Sequence, residues 1–281
     1  MHIADPIHLR SWRAELALEY QRRGARTVLA ARRHDGPLVV QKALYPEGDA
    51  VCHTIILHPP AGLVGGDELE ISCSAQTGSH VLLTTPGAGK WYRSGGPWAR
   101  QQIDLDVQSG ACVEWLPQES IVFDGALAEM ALRVNLAGDA AYLGWEILCL
   151  GRTGSGERFG NGQCRLQTEI RRDGKLTWFE RGSIRPGECV DRSPAGLGGH
   201  SVCGTLIAAG KGVDSEIVAR CRGIPASSGE CGITVLGETT LVGRYLGDSS
   251  EAARQYFEKL RGELRPALTG RPAITPRIWN T

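Results

Sequence analysis

The chain has 281 residues, with 31 Lys and Arg against 31 Asp and Glu, and so no formal net charge at pH 7. That length holds one large domain or two ordinary ones and can bury about 75% of the unfolded surface, so folding requires neither disulfides nor metal. Balanced charge, with no basic cluster longer than Arg22-Arg23 or Arg32-Arg33, excludes the footprint of a nucleic-acid-binding protein.

Residues 1–6 carry no basic flank and apolar run, so no secretory signal is expected, and no stretch approaches the ~18 apolar residues of a membrane span. The nine cysteines contain no C-x-x-C pair, which argues against a disulfide framework or a structural zinc site. Cys73 and Cys164 fall at apolar positions of alternating segments, where Cys acts as a small buried hydrophobe. A cytoplasmic compartment is expected.

Period-two alternation opens the chain: Trp12, Ala14, Leu16, Leu18 and Tyr20 alternate with polar residues, predicting a strand with one face on a core. Asp35-Gly36, between strands at 27–33 and 38–44, predicts a tight hairpin. Residues 58–67 form a loop stiffened by Pro59 and Pro60, with Asp67 closing a turn through its side chain or joining His58 in a weak divalent-cation site. Alternation returns at 69–75. Residues 84–90 imitate a phosphate loop, but Thr84 stands where the first Gly belongs and Trp91 where a Ser or Thr would hold magnesium. Nucleotide binding is not expected.

Further strands are predicted at 103–107, 130–136 and 164–170. Between them, Pro117 stops a segment begun by Glu114 and Trp115 and exposes Gln118 and Glu119, the latter either solvated or functional. Glu146 sits in an alternating strand beside Arg152 and Glu157, as a buried ion pair or as part of a channel. Asp173-Gly174 predicts a second hairpin, joining 165–171 to 175–180. Residues 181–200 and 224–232 read as loops. Helices are sparse and late: a short one at 214–220, and one at 250–264 carrying the stripe Ala253, Tyr256, Phe257, Leu260 and Leu264. The longer helix is begun by Asp248 with Glu251 and ended by Arg265-Pro266. No repeat of 20–50 residues is evident. The expected fold is mainly β, in two stacked sheets or a solenoid-like sandwich, with about two C-terminal helices, as one domain over 1–281. No nucleophile elbow or zinc-protease motif marks an enzyme.

Five segments together resemble the UreD (also called UreH) family of urease accessory proteins: HPPAGLVGGD at 58–67, TTPGAGKWYRS at 84–94, EWLPQESIVFDG at 114–125, WEILCLGRTGSGERF at 145–159 and PRIWNT at 276–281. They span nearly the whole chain, with Ala61 and Gly89 standing where Gly and Thr are frequent. The resemblance implies a mainly β, non-catalytic nickel-insertion chaperone. Its implied partners are the urease apoprotein, UreF and, through UreF, the GTPase UreG, with no tightly bound cofactor, no nucleic acid and no membrane. A conduit would hold nickel weakly and transiently; Asp67 and Glu119 are the first candidates to face such a passage, with His58 and Glu146 behind them. A scaffold that orients partners without touching nickel is the competing reading, and an independent hydrolase or sugar-binding β protein a third.

Overall fold

The structure, a computed structural model, describes residues 11–280. The N-terminal reading of residues 1–6 and the last residue of the C-terminal motif, Thr281, lie outside them. Strands β1 (Arg13–Arg23), β2 (Arg26–Asp35), β3 (Val39–Val40), β4 (Val51–Leu57), β5 (Glu68–Ala75) and β6 (His80–Thr84) come first. They are followed by β7 (Gly89–Trp91), β8 (Ala99–Val107), β9 (Cys112–Leu116), β10 (Ser120–Val122), β11 (Leu127–Leu136) and β12 (Ala141–Leu150). The remainder runs β13 (Gln163–Arg172), β14 (Lys175–Ile184), α1 (Cys189–Arg192), β15 (Val202–Ala209), α2 (Ser215–Arg222), β16 (Glu230–Leu236), β17 (Thr240–Gly247) and α3 (Ser250–Thr269).

Two sheets stack face to face. One has the order β14-β13-β11-β8-β5-β1-β2; the other runs β16-β17-β15-β12-β9-β6-β4-β3, with β10 on β12 and β7 on β10. The middle of the molecule is a solenoid. β5, β8, β11 and β13 are parallel in the first sheet, β4, β6, β9 and β12 in the second, and the chain alternates between them. Register partners Val51, His80, Cys112 and Ala141 follow one another at 29, 32 and 29 residues. The recurrence is one of backbone geometry, and the sequence carries no matching repeat. The coils share geometry rather than sequence, apart from Gln76-Thr77-Gly78-Ser79 and Gln108-Ser109-Gly110-Ala111, which turn the chain at equivalent corners and stack, Cys112 N–H donating to Ser79 O at 2.9 Å.

The two faces of each sheet explain the patterning. Apolar residues of both sheets meet in a core that includes Leu16, Ile71, Leu105, Val134, Leu83 and Trp115. The seven-stranded sheet turns its other face to water, where Arg13, Glu68, Arg100, Glu129 and Arg165 form one row of alternating charge across five strands. The ten-stranded sheet is covered on its second face by α2 and α3, which bury Trp145, Leu206, Phe257 and Leu260. Buried on both sides, β9 is apolar almost throughout rather than alternating.

Several expectations are corrected. Asp35-Gly36 is not a hairpin: β2 pairs with β1 through the two-residue turn Gly24-Ala25, and β3 crosses to the other sheet. Asp173-Gly174 does join β13 to β14 as a two-residue turn, both residues at positive φ. Trp12, expected in the core, is 51% exposed. The loop at 181–200 starts later, after β14 ends at Ile184, and the one at 224–232 is shortened by β16. α3 is capped by Ser249, whose side chain accepts from Ala252 N, rather than by Asp248. It also runs through Pro266, because Thr269 Oγ1 donates to Arg265 O at 2.8 Å and Gly270 N to Pro266 O at 2.8 Å, closing the last turn.

Candidate functional site

Between the sheets lies a cavity of about 480 Å³ whose walls come from β8, β11 to β15 and β17. Its lining is mostly apolar, with Ile103, Met130, Leu132, Leu166 and Tyr142 prominent. Polar residues such as Gln101, Gln167 and Thr168 interrupt it, and two charged features stand out. Glu146, midway along β12 and opposite Thr205, accepts a hydrogen bond from Trp115 Nε1 at 2.7 Å. Burial pushes its carboxyl up to about 7 while the Trp115 donor pulls the other way, so it exchanges a proton near neutral pH. At the open edge, Arg244 pairs with Glu180 Oε1 at 2.8 Å and donates to Thr205 Oγ1 at 2.6 Å, bridging the two sheets.

The structure does not bring the four candidate residues together. Asp67 is buried at the loop side of the coils, where its two oxygens accept backbone N–H groups from Trp12 and Val64, each at 2.9 Å. His58 is half-buried nearby; burial lowers its pKa and the charge on Asp67 raises it. Glu119 is half-buried, its carbonyl accepting Gly89 N–H at 2.9 Å and its charge helping to raise the Cys149 thiol, which burial chiefly pushes up to about 12. Gln118, expected to be exposed, is buried and accepts from Arg254. Arg152 and Glu157 do pair, at 2.6 Å, but without Glu146. The phosphate-loop imitation is a short loop at 85–88 between β6 and β7; Lys90 O accepts from Leu63 N at 2.8 Å, and a strand rather than a helix follows.

Sequence reasoning missed a buried charge cluster on the helix side of the ten-stranded sheet. Glu114, fully buried, accepts from His80 Nε2 at 2.9 Å, Arg261 Nε at 2.9 Å and Arg265 Nε at 2.8 Å. Arg265 also pairs with Glu47 at 2.7 Å, and Glu47 sits 2.6 Å from His53 Nε2. Burial alone would raise the Glu114 carboxyl, but Arg261, His80 and Arg265 outweigh it and hold it well below the usual carboxylate range. The same arginines donate to Ile274 O and Pro272 O, strapping the C-terminal segment down. The signal was available: Arg261 and Arg265 continue the buried face of Phe257 at steps of four.

Among the described residues no group of three or more His, Cys, Asp or Glu is placed to hold a metal ion, and no helix is long and apolar enough to cross a membrane. The fold and site define a two-sided β-solenoid with a C-terminal helical cover, a largely apolar cavity lined by the carboxyl of Glu146 and the Arg244-paired Glu180, and a compensated charge cluster behind it. The family model described as UreD urease accessory protein matches residues 13–280. The urease accessory protein UreD of Azoarcus sp. (strain BH72) is 52% identical over all of this chain and 97% of its own length. That of Dechloromonas aromatica (strain RCB) is 54% identical over 99% and 98%, and that of Pseudomonas aeruginosa 46% over 96% of each. The chain belongs to the UreD urease accessory protein family.

Proposed function

We propose that this chain is a non-catalytic cytoplasmic accessory protein in urease maturation, acting as one domain. In this reading it binds the urease apoprotein and, with UreF and the GTPase UreG, supports nickel insertion. Full-length membership of the UreD family carries the reading. The cavity supplies the place where nickel, as cargo, would be handled, and Glu146 is the residue on which that step rests. A single carboxylate with waters holds a divalent cation weakly, which suits passage, whereas a cage of three or four ligands would retain nickel. Because the carboxyl is near half-protonated at neutral pH, an arriving cation displaces its proton and a departing one returns it. Asp67 serves better as a loop clamp than as a ligand, both its oxygens being engaged by backbone donors. That commitment favours, as a second reading, a scaffold in which the 58–67 segment orients partners and no residue touches nickel.

The test is co-expression of the Glu146→Gln variant with urease and the other accessory proteins. Severalfold lower nickel content and urease activity, with the complex still co-purifying, supports the passage. Full activation with Glu146→Gln leaves the scaffold reading. Loss of binding to urease and to UreF by the unaltered chain would overturn both.

A further inference from the structure

The cavity is partly open, and the segment joining β14 to β15, residues 185–200, forms part of its wall. Val190, Ala195, Gly196 and Leu197 line the cavity from outside the sheets, and Leu197 is buried while most of its neighbours are exposed. The segment's hydrogen bonds close on itself. Leu197 N–H donates to Val190 O at 2.8 Å, Gly198 N–H to Ser193 O at 3.0 Å, Gly199 N–H to Asp191 O at 2.8 Å, and Gly187 N–H to Asp191 Oδ2 at 3.1 Å. Its two limbs touch so closely that a Cβ at Gly196 would lie 2.2 Å from Val190 O. Among the described residues, its polar tie to the body is at one end, where His200 Nδ1 sits 2.9 Å from Asp248 Oδ2 and Ser201 N–H donates to Asp248 Oδ1 at 2.9 Å.

A segment that satisfies its own backbone, adheres through three apolar side chains and is fastened at one end can lift as a unit without stranding buried polar groups. Gly187, Gly198 and Gly199, at φ of +79°, +57° and +84°, stand where the chain enters and leaves it. We propose that residues 185–200 form a lid over the intersheet cavity, hinged on the β14 side at Gly187, plugged by Leu197 and latched at its other end by His200 and Ser201 on Asp248. Arg244 and Glu180 line the same cavity and brace the sheets, so the mouth persists when the lid lifts. The inference goes beyond the nickel reading and holds whatever the cavity carries.

Cys203 lines the cavity and makes lid opening measurable, while Cys52 and Cys73, buried in the core, report unfolding. The experiment is maleimide labelling of the full chain at one fixed pH, with each cysteine followed by peptide mass spectrometry, in unaltered, Leu197→Ala and Asp248→Ala proteins. Labelling of Cys203 is expected to rise on the order of tenfold in Leu197→Ala and severalfold in Asp248→Ala, with Cys52 and Cys73 unchanged, because only local opening is eased. An unchanged Cys203 rate in both variants overturns the lid, as does a Cys203 rate that rises only in step with Cys73. Neither result depends on nickel, so a failed lid and a failed passage through Glu146 are told apart.

Discussion

Glu114, fully buried, and Glu146, half-buried on the cavity wall, are driven in opposite directions by their surroundings. Glu114 has two guanidinium groups and an imidazole within 2.9 Å, so ionisation is favoured despite burial. Glu146 has one neutral donor, the Trp115 indole, and burial wins. A paired buried charge adds little net stability, but breaking the pair leaves partners uncompensated. Replacing Glu114 by Gln strands Arg261 and shares Arg265 with Glu47 alone. The expected loss is about 3–5 kcal/mol of unfolding free energy, read from denaturant titration; a loss below about 1 kcal/mol would mean that water reaches the arginines and the cluster is not closed.

At the scale of elements, α3 shows how local chemistry and tertiary contacts divide the work. Its start is local: Ser249 Oγ accepts Ala252 N–H at 3.1 Å, satisfying a donor that the first turn leaves free. Ser249→Ala is expected to destabilise the protein by about 1 kcal/mol, and Ser249→Gly by only a few tenths, measurable by denaturant titration; equal losses would assign the effect to the neighbouring Asp248 contacts instead. Its end combines both. Pro266 signals a stop by sequence, yet Thr269 and Gly270 close the last turn while Glu47 and Glu114 hold Arg265, and together these carry the helix one turn further.

The same division decides what was legible in the sequence. Strands such as β1 and β11, wet on one face, announce themselves by alternation, and the Asp173-Gly174 hairpin by its turn residues. The Asp35-Gly36 turn misled because a short-range signal cannot say that the next strand belongs to the other sheet. A solenoid-like sandwich was legible in the many short strands, but its coil-by-coil register was not, since parallel coils require only an apolar inner face and a turn, and just two corners, at Gln76 and Gln108, kept similar residues. The site was least legible. Glu146 lies in a run of otherwise apolar residues, and its partner Trp115 is 31 residues away on a neighbouring strand.

For the whole molecule, Glu114 and Glu146, whose pKa values move in opposite directions on folding, each add a limb to the curve of stability against pH. The pKa of Glu114 is lowered on folding, so its contribution is complete above the unfolded value near 4.3 and is lost as pH falls below it. Glu146, raised to about 7, is neutral in both states below about 4.3; between there and 7 the unfolded chain releases a proton that the folded chain keeps, and stability declines with rising pH before levelling off. Their combined effect is a maximum near pH 4–5 with a limb on each side, the upper one amounting to roughly 3–4 kcal/mol. The exposed charge rows, such as Arg100 with Glu68 and Glu129, add little to this because solvent screens them. Unfolding free energies measured from pH 3 to 8 test the assignment when the variants are compared. Glu146→Gln should flatten the upper limb alone, and Glu114→Gln should weaken the lower limb while lowering the whole curve. If the upper limb survives Glu146→Gln unchanged, another group titrates there, and the proton exchange proposed for the cavity loses its physical basis.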